Sequence, residues 1–173
     1  MSLRPWREDD ADAIVARISD VAILAFLDRV PQPYGRGDAL DYIRSCSEGW
    51  RTGTQTNFAI LVAGIDGAAG SVGVGWGEIE EGVAEVGYWV AAEARERGVA
   101  TTATRLVSEW AFHADSRLER LQLRADVLNA ASNRVAEKAG FTREGVLRSA
   151  RPNVRLGRRA DFAMWSLLRD EVD

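Results

Sequence analysis

Residues 85–104, EVGYWVAAEARERGVATTAT, constrain the fold more than any other stretch. Glu85-Val86-Gly87-Tyr88-Trp89-Val90 is β-branched and aromatic and reads as a strand. Ala91 to Ala94 turns the chain, and Arg95-Glu96-Arg97-Gly98 leads into a helix that starts near Val99. A strand followed by a basic turn and a helix N-terminus makes an anion site. The first N–H groups of a helix have no intrahelical partner and carry partial positive charge, so they grip a phosphate. Gly98 lets the backbone approach the ligand, Ala100 keeps the first turn small, Thr101 and Thr102 offer hydroxyls, and Arg95 and Arg97 add charge. The plainer reading is a helix tip with ordinary surface arginines. Two other phosphate loops are excluded. No Gly-Lys-Ser/Thr is present, and Gly73-Val74-Gly75-Trp76-Gly77 runs into Glu78-Ile79-Glu80-Glu81-Gly82, a strand end and turn rather than a helix.

A chain of 173 residues, 46% hydrophobic and 28% charged, suits one domain over 1–173 with an ordinary buried core. Its net charge of −4 argues against nucleic-acid binding, which wants a basic face. Cys46 is the only cysteine and His113 the only histidine, so an intramolecular disulfide is excluded, no metal is expected, and His113 is read as a helix-face residue. Acidic and basic residues interrupt the N-terminus at once, and no apolar run approaches the ~20 residues of a membrane span. A cytoplasmic protein with no membrane partner is expected.

In chain order, Leu3-Arg4-Pro5-Trp6 reads as a first strand, and Glu8-Asp9-Asp10 as a cap for a helix striped by Ile14, Val15 and Ile18. A second helical piece covers 21–27, and 31–37, with two prolines and two glycines, is a loop. Asp38 is expected to cap a third helix carrying Leu40, Ile43, Ser47 and Trp50. Strands at 57–63, 71–79 and 83–90, joined by short turns, imply an antiparallel meander. A helix over 99–114 with Leu106, Val107, Trp110 and Ala111 on one face makes the next strand, 121–128, parallel to the one before it. A helix from Asn129 to Ala139 ends at Gly140 in a left-handed C-cap. Final strands at 141–147 and 161–168 flank an arginine-rich loop, 149–160.

Two motifs combine into a resemblance. Arg95-x-x-Gly98-x-Ala100 resembles the acyl-CoA pyrophosphate loop of the GNAT superfamily, [QR]-x-x-G-x-[GA], and Asn129-x-x-Ser132-x-x-Val135-x-x-Lys138-x-Gly140-Phe141 resembles a second family segment. From Leu3 onward the chain is similar to the Rim-type branch, which includes N-terminal acetyltransferases of ribosomal proteins. The resemblance implies a mixed, mostly antiparallel α/β sheet of about seven strands, flanked by helices. Its fourth and fifth strands, 83–90 and 121–128, would splay apart around the pantetheine of acetyl-CoA. Trp89, Val90, Arg95, Arg97, Gly98, Val99, Ala100, Thr101, Thr102, Asn129, Ser132 and Asn133 would then hold the co-substrate, with a backbone N–H near Val90 facing the thioester oxygen.

The implied reaction is acetyl transfer to a primary amine, either a protein N-terminus or a small molecule; the alternative is a non-catalytic acyl-CoA sensor. Glu85 is the candidate general base, against a solvated or salt-bridged strand glutamate, with Glu78 and Glu80 behind it. The family's tyrosine acid after the second segment is missing here. Ser132 is left as either the thiolate's proton donor or a CoA contact. Tyr34, Glu85 and Arg148 are the candidate acceptor contacts, from a pocket between the 31–37 and 149–160 loops. The loop's Arg151, Arg155, Arg158 and Arg159 read as a solvated hairpin or as recognition of an anionic acceptor. Monomer and homodimer both remain open.

Overall fold

The structure, a computed structural model, describes residues 1–27 and 29–172. Seven strands form one sheet in the order β1-β2-β3-β4-β5-β7-β6: β1 Ser2–Pro5, β2 Gln55–Leu61, β3 Gly70–Glu78, β4 Val83–Val90, β5 Arg120–Asp126, β6 Thr142–Asn153 and β7 Arg158–Leu168. Every neighbouring pair is antiparallel except β4–β5. The expected meander and the single parallel step through a helix are both present. Close approach explains two of the glycines of β3: a Cβ at Gly70 would press on the Trp89 carbonyl oxygen, and one at Gly73 would lie 2.6 Å from the Thr56 carbonyl oxygen, both closer than real contacts allow.

Helices cover both faces. α1 Ala11–Ile18, α2 Val21–Leu24 and α3 Arg36–Thr52 lie on one side; α4 Val99–Ala114 and α5 Ala130–Lys138 lie on the other. Strand alternation divides the core accordingly. Phe58, Ile60, Val72, Val86, Leu121 and Leu123 meet α4 and α5, whereas Ala59 and Trp89 meet Ile14, Ile18, Ile43 and Cys46.

Several expectations are corrected here. α4 buries Val99, Ala103, Val107 and Ala111, and Leu106 is 40% exposed, one position off the apolar stripe. In α3 the buried set is Ala39, Ile43, Cys46 and Gly49, with Ser47 outside it. Asp38 is not the N-cap, which is Gly35. It sits three residues into the capped turn and accepts the Gly35 N–H at 2.8 Å. The arginine-rich segment is not a loop. β6 and β7 pair out to Asn153↔Arg158, with irregularities at 143–145 and 147–151, and only four residues form the tip. Pro152 is tolerated because β6 is the sheet's edge strand.

Candidate active site

β4 and β5 are hydrogen-bonded neighbours over Val83↔Arg120, Ala84↔Leu121 and Glu85↔Gln122, and then part. Their outer edges stay paired: β4 with β3 as far as Val90, and β5 with β7 as far as Asp126. The strands therefore diverge as a fork whose inner edges carry unmatched backbone groups. The Ala91 N–H bonds the Ala69 carbonyl at 2.8 Å. By alternation, Trp89 and Gly87 also face β3, and the N–H and C=O of Tyr88 and Val90 point into the fork.

Two helices begin at the open end of the fork. α4 follows Gly98, whose φ of +72° suits glycine and whose absent Cβ would meet nothing within 4 Å. No side chain caps this helix. The Thr102 N–H closes the first turn on the Gly98 carbonyl at 2.9 Å, so the N–H groups of Val99, Ala100 and Thr101 are the donors left by helix geometry. α5 is capped by Asn129, whose side-chain oxygen accepts the Ser132 N–H at 3.0 Å. Across the fork the Tyr88 hydroxyl donates to Ser132 Oγ at 2.9 Å. Burial pushes Tyr88 up to about 12, against the opposing pull of the Ser132 contact. At the crotch, both carboxylate oxygens of Glu85 accept from Arg124, through Nε at 3.0 Å and through Nη2.

On the α1–α3 face, a pocket of about 470 Å³ opens beside Trp89. Tyr34, Tyr42, Ile14, Ile18, Val30 and Trp89 give it a mainly apolar wall.

The acetyltransferase (GNAT) domain family matches residues 1–142. This chain belongs to the GNAT family. An uncharacterized N-acetyltransferase p20 of Bacillus licheniformis is 26% identical over 99% of this chain and 94% of its own length. The solved structure of a RimL ribosomal L7/L12 α-N-protein acetyltransferase with coenzyme A aligns with a TM-score of 0.84 at 21% identity, covering 98% of this chain and 94% of that one. That of the Microcin C7 self-immunity acetyltransferase MccE, with acetyl-CoA and AMP, aligns at 0.81 and 22% over 96% and 91%. The GNAT domain described here is accordingly an acetyl-CoA-dependent N-acetyltransferase acting on an amine.

The fork and the α4 tip suit acetyl-CoA: unmatched strand-edge groups for the pantetheine amides, and uncapped N–H groups with an open glycine for the diphosphate. Val99 is buried and anchors the helix, Ala100 and Thr101 are half-buried, and Thr102 is exposed. Several other side chains of this GNAT domain have different work from that expected. Arg95 turns away to Asp20, at 2.6 Å, and holds that carboxyl below its ordinary range while Asp20 caps α2. Arg97 stays exposed, 3.5 Å from the carbonyls of Glu93 and Ala63. The Asn133 side chain is engaged within the fold: its amide donates to the Asp126 and Asn129 carbonyls at 2.9 Å, and its oxygen accepts from Trp165 Nε1 at 3.0 Å.

Of the acceptor candidates, only Tyr34 lines the pocket. Glu85 stands on the same sheet face but is tied to Arg124, and Arg148 is exposed on β6. The hairpin arginine in the wall is Arg151, which also lies over the Phe162 ring at 5.2 Å. Arg155 bonds the Val30 carbonyl at 2.8 Å, Arg158 bonds Asp126 at 2.5 Å, and Arg159 bonds Ser149 Oγ at 2.5 Å, so these three brace the hairpin. Tyr88 was the residue missed. Its signal was available, because alternation puts it opposite Glu85, on the face that meets α5.

Proposed function

We propose that the chain, acting as one domain over 1–173, carries acetyl transfer by direct attack of a neutral amine in a ternary complex. The carrying observation is the fork, with the α4 tip at its open end. The α4 amides at Val99–Thr101, with Arg97 nearby, hold the diphosphate; the inner edge of β4 at Tyr88 and Val90 holds the pantetheine. The Val90 N–H faces the thioester oxygen and stabilises its developing charge, a role worth about 2.7–4 kcal/mol of barrier when one such donor is removed elsewhere.

As the C–N bond forms and the C–S bond breaks, Ser132 donates a hydrogen bond to the departing thiolate. Tyr88 makes this possible. Its proton occupies one Ser132 lone pair, so Ser132's own O–H is left to turn into the fork. Tyr88 itself is a poor acid toward a thiolate, because an ordinary thiol at about 8.5 lies some three units below it. Its part is to orient.

The acceptor amine must shed a proton. An α-amino group at about 8 costs about 1.4 kcal/mol to neutralise at pH 7, whereas a lysine at about 10.4 costs about 4.6. That difference favours an α-amine, and water suffices to take its proton. We read Glu85 as a strut at the crotch rather than the base, since Arg124 occupies both its oxygens. A protein N-terminus of the Rim type and a small amine of the same basicity remain the acceptor sources. A single buried thiol, Cys46, suits a reducing cytoplasm.

The test is release of free thiol from acetyl-CoA with peptides and amines. Amine-dependent thiol is expected, appearing with one equivalent of acetylated product. Acetyl-CoA binding with no thiol from any amine overturns transfer in favour of a sensor.

A further inference from the structure

The pocket beside Trp89 has a chemistry of its own. Its volume of about 470 Å³ falls in the range of small-molecule sites, about 300–1,000 Å³. Its wall is mainly aliphatic and aromatic, from α1, Leu27, Val30, Tyr34, Tyr42 of α3 and Trp89 of β4. Four charged groups stand at its edge: Asp38 accepts the Gly35 N–H, Asp41 pairs with Arg44 at 2.6 Å, Arg151 lies over the Phe162 ring at 5.2 Å, and Arg29 is exposed to solvent. The floor is fixed at the strand position that leads to the fork. Trp89 is the register partner of Ser71, and the Ser71 and Tyr42 hydroxyls are 2.9 Å apart, which pins the Tyr42 ring beneath the cavity. Burial also pushes the Tyr34 phenol up to about 12, so both tyrosines face the pocket as neutral rings at physiological pH.

Such a wall gives little to a small or polar group, which would leave apolar surface in water. It rewards a large apolar one at about 0.8 kcal/mol per buried methylene, roughly fourfold in affinity. We infer that this pocket takes the apolar side chain of the acceptor. The enzyme thereby selects primary amines whose neighbouring carbon bears a large aliphatic or aromatic group, over those bearing hydrogen, methyl or hydroxymethyl. The inference rests on the transfer reading above. Trp89 is the link: its ring lines the pocket, while the backbone on either side of it faces the fork.

The test compares kcat/KM for a peptide series identical except for a first residue of Gly, Ser, Ala, Leu or Phe. Leucinamide and phenethylamine serve as free-amine arms. Leu over Ala should gain about 60-fold, three buried carbons at about fourfold each. Equal rates for the peptide and free-amine arms assign recognition to the side chain alone; faster peptides assign a protein N-terminus as its source. A filling variant, Val30→Phe, should reverse the order toward Ala and Ser while leaving acetyl-CoA affinity unchanged, since Val30 lines this pocket rather than the fork or the α4 tip, and its backbone bonds to Leu27 and Arg155 do not use the side chain. Leu and Ala within threefold of each other, or Val30→Phe leaving the order intact, overturn the inference with transfer still standing. Thiol release from none of the amines removes the transfer reading, and this inference with it.

Discussion

The two edges of β5 are built from the same backbone and end in opposite states. Toward β7 the ladder runs unbroken from Arg120↔Leu168 to Asp126↔Phe162; toward β4 it stops after Glu85↔Gln122. The paired edge sets stability, because each N–H there has its partner in place. Where β5 parts from β4, the facing edge of β4 leaves the donors and acceptors of Tyr88 and Val90 for a ligand, and two helix tips converge where they point. Burial alone would not separate these edges: Val90 is only half-buried, but so is Gln122 on the paired stretch. What separates them is where the hydrogen bonds go.

One proline on each edge gives the strongest contrast. In Val90→Pro the lost N–H faces the fork, so no bond to β3 is broken, and the edge tolerates the ring. We expect kcat to fall by about 100- to 1,000-fold, matching the loss of one oxyanion donor, with little change in thermal stability. In Ala125→Pro the lost N–H points to Ala163 in the unbroken ladder. Here stability should fall by about 1–3 kcal/mol for the acceptor left unpaired. Denaturant melts and steady-state kinetics on both proteins check this. If Val90→Pro keeps its rate, the parted edge is not where the thioester lies.

The next contrast lies across the fork. Ser132→Ala should cost about 100-fold in kcat, at the low end of proton-donor effects, and Tyr88→Phe less, since Ser132 keeps its hydroxyl and loses only its orientation. pH separates the two roles. Tyr88 lies at about 12 in the folded protein, above an ordinary value of about 10. Its contribution to folding is therefore complete below pH 10 and lost as pH rises through 12. Tyr88→Phe should remove that alkaline loss of stability, and Ser132→Ala should enlarge it, because the Ser132 contact opposes the rise that burial causes. In both variants the rate should still rise through about pH 8 with an α-amine acceptor, because that limb belongs to the amine. A Tyr88→Phe enzyme with unchanged kcat would leave the hydroxyl pair a packing feature.

Much of this comparison is legible in the residues, and its limits have a physical cause. β4 was bounded correctly because its aromatic and β-branched run is closed by Gly82, which needs its φ of +74° in the preceding turn. The α4 start was readable from Gly98 for the same reason. The fork was not: a strand's pattern reports which face is apolar, not how far its neighbour follows it, and only the family resemblance supplied the splay. Side-chain partners were equally hidden. Arg95 meets Asp20 from 75 residues away, and Asn133 meets Trp165 from 32. An arginine or asparagine inside a motif looks the same whether it faces a ligand or braces the fold. The 149–160 segment misled in the opposite direction, since its arginines and Pro152 read as loop where an edge strand accommodates both.

The smallest expected effect tests the crotch, where the two edges of the comparison begin. Glu85 belongs to the last paired step and Arg124 lies two residues beyond its register partner Gln122, both on the pocket side of the sheet, and their side chains are 36% and 46% exposed. A pair so exposed holds the strands with no more than about 0.2–1 kcal/mol. Glu85→Gln and Arg124→Gln should therefore behave alike, each lowering kcat by about two- to fivefold as the fork loosens, and the double variant should add little. The pH–rate profile should keep its shape in all three. A base behaves differently: Glu85→Gln alone would then suppress kcat far more than Arg124→Gln and alter the acid limb. Removing Arg124 would instead free the carboxylate. Matched small losses make Glu85 part of the hinge at which pairing ends; a large, unmatched loss returns it to the chemistry and moves the catalytic boundary one residue into the paired half of β4.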